Sequence, residues 1–238
     1  MTAGVTAWKT MFIVSSCMMT AIATWAIVNE SLAPFWDLSL KWLMATMLNY
    51  YINTAIILAW IVYKESSWIK AAVLIPLILF AGSPLTSGYI AMQFFKLTPE
   101  QSSKDPLYFV LVRPQQKGAI GKRKGHSVLF AKVILSALAC LMLGTYIYVF
   151  IIAGSPFRAS VFSRCMIATT VDIYFYVVTL SVWIAHKESS WINAFFWILL
   201  LISLGSIGTC AYILRQLFYL SPQQSISAIF VDNSNKQH

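Results

Sequence analysis

One acidic residue lies deep inside an apolar run of the sequence, and it is the strongest candidate for chemistry. Asp172 comes eight residues after Arg164, which in a helix places it roughly 12 Å from that charged end. Because an ionisable side chain in hydrocarbon costs at least about 2.5 kcal/mol, such a residue is a functional candidate by default. The carboxyl group can bind a proton or a cation, or it can stay neutral and form structural hydrogen bonds. The sequence leaves both interpretations open.

Two matching stripes of polar residues accompany this acid. The spacing of 4, 3 and 4 residues occurs twice, in Gly82, Thr86, Tyr89 and Gln93 and in Gly205, Thr209, Tyr212 and Gln216. Each stripe occupies one side of a helix. Such side chains either line a path for a solute or hold membrane helices together through hydrogen bonds. The predicted binding residues are Asp172, Asn49, Tyr212, Gln216, Thr209, Tyr89, Gln93 and Thr86.

The first half of the chain has an amide where the second half has the acid. Asn49 is the counterpart of Asp172, so an uncharged side chain is compatible with the same helix pattern. We expect Asp172 to hydrogen-bond Tyr212, Thr209 and Gln216, or Asn49 across the axis that relates the two halves.

These residues belong to a duplicated unit. The pentapeptide Lys-Glu-Ser-Ser-Trp occurs at 64–68 and again at 187–191, and the offset of 123 residues holds without a gap from Lys41/Arg164 to Ser102/Ser225. Roughly 25 of the 62 aligned pairs are identical, which indicates an internal repeat. In each copy, the serines are predicted to cap the next helix and the glutamate to favour its N-terminal end. An exposed binding or gating role is the alternative.

The composition indicates an integral membrane protein. Hydrophobic residues make up 59% of the 238 residues and charged residues only 11%, more apolar surface than a soluble domain can bury. Apolar runs near 11–28, 41–62, 70–95, 128–153, 165–185 and 192–219 are each long enough to cross a hydrocarbon core of about 30 Å. We predict an all-α integral membrane bundle of six transmembrane helices, arranged as two three-helix repeats.

The odd number of predicted helices per copy has consequences for orientation. Two copies of three spans must face opposite ways, so we predict an inverted pair, as in many secondary transporters. The central segment holds the largest cluster of Lys and Arg, which predicts a cytoplasmic linker and two exoplasmic termini.

The predicted organisation has four parts, a first repeat over 7–102, a basic polar linker over 103–127, a second repeat over 128–225 and a flexible tail over 226–238. We expect the bilayer as partner, with anionic headgroups at Lys122, Arg123 and Lys124 and no nucleic acid. The expected location is the endomembrane system or the plasma membrane, as a multi-pass protein. The oligomeric state stays open.

Other chemistry finds little support in the sequence. The four cysteines lie in apolar runs without paired spacing, so neither a disulfide framework nor a zinc site is predicted. Phosphate loops, nucleophile elbows and His-Glu-x-x-His motifs do not occur. We therefore expect no cofactor, no metal and no catalytic residues.

The second copy contains the segments Asp172-Ile-Tyr174, Trp183, Lys187-Glu-Ser-Ser-Trp191, Leu204-Gly-Ser-Ile207, Thr209-Cys-Ala-Tyr212 and Leu220-Ser-Pro222. Together these segments resemble a plant multi-pass membrane family built on a duplicated domain of unknown function. The first copy departs from this pattern at Asn49, at Tyr63-Lys64 and at Pro84. The resemblance implies a plant source and a multi-pass helical fold, without a mechanism.

Three function classes remain open from the sequence. A small-solute or ion transporter or channel predicts a water-accessible path along the polar stripes. A membrane scaffold or accessory protein predicts that the stripes are packed dry. An intramembrane enzyme predicts a second catalytic group beside Asp172, and no such group can be named. We expect the first, with the scaffold as the alternative and no enzymatic activity.

Overall fold

The structure is a computed structural model that describes residues 3–30, 32–65, 67–112, 126–158, 162–220 and 229. The predicted tail, the cluster Lys122–Lys124 and Ser66 lie outside the described residues, apart from position 229 of the tail. Regular structure in the described ranges is helical, as the sequence predicts.

Ten α-helices make up the described fold. They are α1 (Ala3–Glu30), α2 (Lys41–Lys64), α3 (Trp68–Ala81), α4 (Ser83–Phe95), α5 (Pro99–Lys104), α6 (Pro106–Leu111), α7 (His126–Ala153), α8 (Arg164–Lys187), α9 (Trp191–Leu204) and α10 (Ser206–Phe218). A short 3-10 helix, Ala33–Trp36, follows α1. By length and composition α1, α2, α7 and α8 could cross a membrane, whereas α3 and α9 are shorter apolar helices.

The third apolar run of each copy is divided by a single glycine. Gly82 has a φ of 71° and separates α3 from α4, and Gly205 has a φ of 56° and separates α9 from α10. Both glycines are in the left-handed region that other residues adopt only with strain. The prediction that the runs 70–95 and 192–219 each form one continuous helix is therefore wrong.

The two pieces of each divided run fold back as a helical hairpin. The Gln93 side chain in α4 donates a 3.3 Å hydrogen bond to Glu65, which lies three residues before α3. In a continuous straight helix these residues would be about 42 Å apart, at 1.5 Å per residue. In the second repeat, Gln216 of α10 donates to Glu188 at 3.0 Å. The first hairpin (α3–α4) and the second hairpin (α9–α10) thus each begin and end on the same side of the bundle. We call that end of a hairpin its base and the turn at Gly82 or Gly205 its tip.

The segment α5–α6 marks that side, and we call it the strap. The Lys64 ammonium at the end of α2 donates to the carbonyls of Phe109 and Val112 at 2.8 and 2.6 Å. At the end of α8, the His186 ring lies 3.0 Å from the Asp105 carboxylate. The strap therefore joins the C-terminal ends of α2 and α8, and this end of the bundle is called the strap face.

The two repeats run parallel to each other, which corrects the predicted inverted arrangement. Both α2 and α8 end at the strap face. Their first turns also meet, because Met47 and Thr169 are in contact at 4.0 Å and Leu43 packs with Cys165 and Met166. The inverted prediction depended on three crossings per copy, and a hairpin that returns to its starting side removes one of them.

Equivalent helices of the two repeats pack in equivalent ways. Within the most apolar 18 residues of each helix, 56% are buried in α2 and 50% in α8, compared with 17% in α1 and 11% in α7. The helices α1 and α7 each lie against the inner arm of a hairpin, α4 and α10 respectively, as the Ser16–Pro84 hydrogen bond and the contact of Lys132 with Phe218 illustrate. The outer arms are α3 and α9.

Charges are divided unevenly between the two ends of the bundle. The strap face carries Lys9, Lys64, Lys70, Lys96, Lys104, Lys132, Lys187 and Arg215 together with Glu65, Glu100, Asp105 and Glu188, and the opposite face carries Lys41, Arg158 and Arg164 together with Glu30 and Asp37. The pKa of Asp37 is below its usual range because the side chain and backbone of Ser39 hydrogen-bond its carboxylate. That carboxylate is therefore charged at neutral pH and offsets part of the positive charge on the opposite face.

Candidate functional site

Asp172 lies at the tip of the first hairpin. Its carboxylate Oδ1 accepts a 3.0 Å hydrogen bond from the backbone N–H of Ser83, the first residue of α4. A Cβ on Gly82 would collide with this carboxylate and lie 2.9 Å from the Tyr50 hydroxyl. Gly82 has no side chain with which to cap α4, so the acid of the second repeat caps it instead, where the positive end of the helix favours a negative charge.

Asn49 has the same position at the tip of the second hairpin. Its Oδ1 accepts a 2.7 Å hydrogen bond from the backbone N–H of Ser206, the first residue of α10. A Cβ on Gly205 would lie 2.6 Å from the Asn49 amide nitrogen. Each repeat therefore caps the hairpin of the other, one with a carboxylate and one with an amide.

The threonines of the stripes make a second pair of contacts between the repeats. Thr209 donates a 2.9 Å hydrogen bond to Asn53 of α2, and the Thr86 hydroxyl lies 3.5 Å from the Tyr176 hydroxyl of α8. Asn53 and Tyr176 are counterparts at the offset of 123 residues. The stripes therefore face inward, as the sequence predicts, with Thr86 and Thr209 buried.

The other predicted partners of Asp172 bond elsewhere, which corrects that part of the prediction. The Tyr212 hydroxyl and the Gln216 amide donate to Glu188 at 3.0 Å each. In the first repeat, Tyr89 donates to Glu65 at 2.7 Å, and Gln93 donates to the same oxygen. The eight predicted residues thus fall into hairpin-tip contacts and hairpin-base contacts.

Sequence reasoning places Glu65 and Glu188 at helix N-termini and misses that they accept hydrogen bonds from the Tyr and Gln of the stripes. Each glutamate belongs to the repeated pentapeptide, and each fastens the inner arm of its hairpin to the start of the outer arm. Ser67 and Ser190 precede α3 and α9, but neither side chain makes the predicted capping hydrogen bond. The signal in the sequence was that both copies keep the glutamate together with the Tyr and Gln of the stripe, which indicates that these residues act together.

The two hairpin bases differ in charge. Arg215 donates to Glu188 at 2.8 Å, and its guanidinium lies 5.5 Å from the centre of the Trp197 ring. Asn193 adds a 2.8 Å hydrogen bond to the second oxygen of Glu188. The first repeat has Met92 where the second has Arg215, so this ion pair is specific to the second hairpin.

The tip of the first hairpin is also richer in hydroxyl groups. Tyr50 and Tyr176 pack with ring centres 6.0 Å apart beside the acid. The Ser83 hydroxyl lies near the same carboxylate, but no hydrogen bond of good geometry joins it to a described residue. Ser206 at the other tip likewise has a buried hydroxyl without a described partner. Both tips therefore hold polar groups whose hydrogen-bonding capacity is not used within the described residues.

All eight predicted residues are packed inside the protein. Their exposed fractions are at most 8%, the value for Asp172, Gln93 and Gln216. Among the described acids, Asp172 is the one that lies away from helix ends. Within the described ranges, no group of three or more His, Cys, Asp or Glu side chains could hold a metal ion.

Comparison with known proteins identifies the family. The profile of the family described as "Protein of unknown function (DUF1475)" matches residues 2–118 and again residues 101–237. The chain belongs to this family. Two matches of one profile agree with a duplicated domain, while the plant source and the signature residues stay predictions. Neither the curated proteins nor the solved structures gave a match.

Proposed function

We propose that the chain is a multi-pass membrane protein that moves a small ion or solute past the tips of its two hairpins, with Asp172 as the proton- or cation-binding residue. One observation carries the proposal. The two tips make the same bond to a helix N-terminus, but Asn49 does so with an amide and Asp172 with an acid. Because Asn49 caps one tip without an ionisable group, capping does not require the charge of Asp172 at the other tip. The ability of Asp172 to bind a proton or a cation therefore points to a second role.

In this proposal α1, α2, α7 and α8 cross the bilayer, and the hairpins enter it from the strap face. An arm of 14 residues, such as α3, reaches about 21 Å into a hydrocarbon core of about 30 Å. Non-helical backbone at this depth is tolerated where protein surrounds it or where it lines a cavity. The close contacts of Gly82 and Gly205 with α8 and α2 support such placement.

The strap face is the cytoplasmic face in this arrangement. Lys and Arg are enriched on the cytoplasmic side of membrane proteins, and eight of the described ones lie there against three on the opposite face. Both described terminal helix ends, at Ala3 and Phe218, then lie on the cytoplasmic side with the linker. The predicted exoplasmic termini followed from six crossings, and four crossings reverse that prediction. Anionic headgroups are the partner that this face would meet.

Proton or cation binding at Asp172 would be linked to movement of the hairpin tip. A charged carboxylate makes a stronger bond to the Ser83 N–H than a neutral carboxyl group does. Neutralising the acid therefore weakens the contact that holds α4 against α8, and it frees the Ser83 N–H and hydroxyl for a solute. The compact packing of the stripes corresponds to the closed state of this cycle.

A membrane scaffold or accessory protein is the second candidate. The observation that favours it is the burial of all eight predicted residues, each at most 8% exposed. A scaffold requires the tips to stay packed, whereas a transporter requires them to open.

Flux measurements on Asp172→Asn separate the two. We expect purified wild-type protein in sealed vesicles to support a pH- or ion-dependent flux that Asp172→Asn abolishes, with folding retained because the amide accepts the same Ser83 hydrogen bond. Asp172→Leu is the control for loss of the cap, and it should impair assembly. Wild-type flux in a well-folded Asp172→Asn protein would remove the acid from the mechanism and favour the scaffold.

A further inference from the structure

A groove of about 650 Å³ runs along the outer side of α8. Its wall is formed by α8 between Tyr174 and His186 and by Ile198 and Ile202 of α9, and Trp8 of α1 forms the other side. The groove therefore lies between the two repeats and borders the outer arm of the second hairpin. It is separate from the hairpin tips and from the hairpin bases.

The lining of the groove is mainly apolar. It includes the hydroxyls of Tyr174 and Ser181 along the groove and the His186 imidazole at one end. His186 lies at the strap face, where its ring nitrogen is 3.0 Å from Asp105. Leu107 of the strap lines the groove at the same end. The groove thus has a polar, charged end at the surface and a mainly apolar course toward the level of Asp172.

The groove opens sideways, toward the surface that the proposed membrane placement turns to lipid. Lining residues on this side are half exposed, with 46% for Tyr174, 47% for Val178 and 47% for Ile202. A water-soluble solute would have to cross hydrocarbon to enter here. A molecule that already resides in the bilayer enters directly.

We propose that this groove binds one acyl chain of a glycerophospholipid from the leaflet at the strap face. The twelve-residue separation of Tyr174 and His186 corresponds to about 18 Å along the helix, close to the half-thickness of a ~30 Å hydrocarbon core. The headgroup lies at the polar end, where the Asp105 carboxylate can accept hydrogen bonds and the His186 ring can donate one. The chain packs against α9, so an occupied groove supports the outer arm of the second hairpin.

This inference depends on the proposed membrane placement, but not on transport. Its test therefore uses lipid labelling instead of flux. The protein is reconstituted in phosphatidylcholine vesicles that contain a phosphatidylcholine with a photoreactive acyl chain, and the crosslinked peptides are mapped. We expect labelling concentrated on the α8 and α9 lining, well above that of the exposed α7 surface around Val133, which is 59% exposed.

Two variants fill the groove and one matched variant does not. Val178→Trp and Ile202→Trp place an indole in the groove, and each is expected to reduce labelling of the lining at least fivefold. Val133→Trp makes the same change on exposed α7 and should leave labelling of the groove unchanged. The proposal is overturned if wild-type labelling of the lining equals that of the Val133 surface, or if both folded groove variants are labelled like wild type. Asp172→Asn should be labelled normally, so loss of flux and loss of lipid binding are distinguishable.

Discussion

Replacing Gly205 with alanine tests the hairpin tip, because both its backbone and its surroundings require glycine. At a φ of 56° and a ψ of −124°, a conformation that is almost confined to glycine, a residue with a Cβ costs about 1 to 3 kcal/mol. The new methyl group would lie 2.6 Å from the Asn49 amide, so Asn49 must move and release the buried Ser206 N–H. Leaving that donor unpaired costs about 1 to 3 kcal/mol more. The expected loss of stability is about 2 to 6 kcal/mol.

The assay is chemical unfolding in detergent micelles, followed by tryptophan fluorescence. Gly144→Ala is the matched control, because a Cβ on Gly144 meets nothing within 4 Å. A helix-interior glycine is less favourable than alanine by about 0.5 to 1 kcal/mol, so this control should be slightly stabilised. If Gly205→Ala proved as stable as Gly144→Ala, the hairpin tip described here would be wrong.

Two further predictions concern topology and the hairpin base. Tags at the amino terminus and in the linker should be accessible from the same side of sealed vesicles, and a tag at Leu38 from the other side; terminus and linker on opposite sides would contradict four crossings. Glu188→Gln should lower the free energy of unfolding by about 1.5 to 3 kcal/mol because it leaves Arg215 without its carboxylate, and Glu65→Gln should lower it by only about 0.5 to 1.5 kcal/mol. Equal losses in chemical unfolding would show that the ion pair adds nothing.

The sequence was sufficient to predict the four long helices α1, α2, α7 and α8, the repeat and the inward stripes, because each leaves a local or periodic signal. Hydrophobic runs report length and composition, and spacing of 3 and 4 residues reports a shared helix face. The burial of Thr86 and Thr209 follows directly from that spacing. Such signals are independent of how helices connect in space.

Local signals do not show whether an apolar run continues as one straight helix or turns back on itself. A run such as 70–95 has the hydropathy of one membrane-crossing helix whether it continues or turns back at Gly82. The turn depends on contacts with Asp172, which is 90 residues away. The glycine followed by serine in both copies was the visible trace of the break. Without the turn, each copy is predicted to cross the membrane three times, and the inverted repeat and the exoplasmic termini follow from that number.

Partners of polar residues were mispredicted for the same reason. The sequence predicts Tyr212, Thr209 and Gln216, or Asn49 across the axis that relates the two halves, as partners of Asp172. The hairpin instead returns Tyr212 and Gln216 to Glu188, 24 and 28 residues earlier in the chain. Asp172 is left to cap the hairpin of the other repeat, a pairing that no spacing within one repeat can indicate.

Water access to Thr86 tests most directly whether the hairpin tips open. Thr86→Cys is introduced with the four native cysteines, Cys17, Cys140, Cys165 and Cys210, replaced by serine, and vesicles are treated with a charged, membrane-impermeant thiol reagent. The Thr86 side chain is only 1% exposed in the closed structure, whereas Leu38 is 72% exposed, so Leu38→Cys serves as the fully reactive control. The proposed transport cycle predicts slow modification of Thr86→Cys that becomes faster as the pH falls and Asp172 is neutralised, and that no longer depends on pH in Asp172→Asn. Complete protection at every pH, with the Leu38→Cys control fully modified, would contradict it.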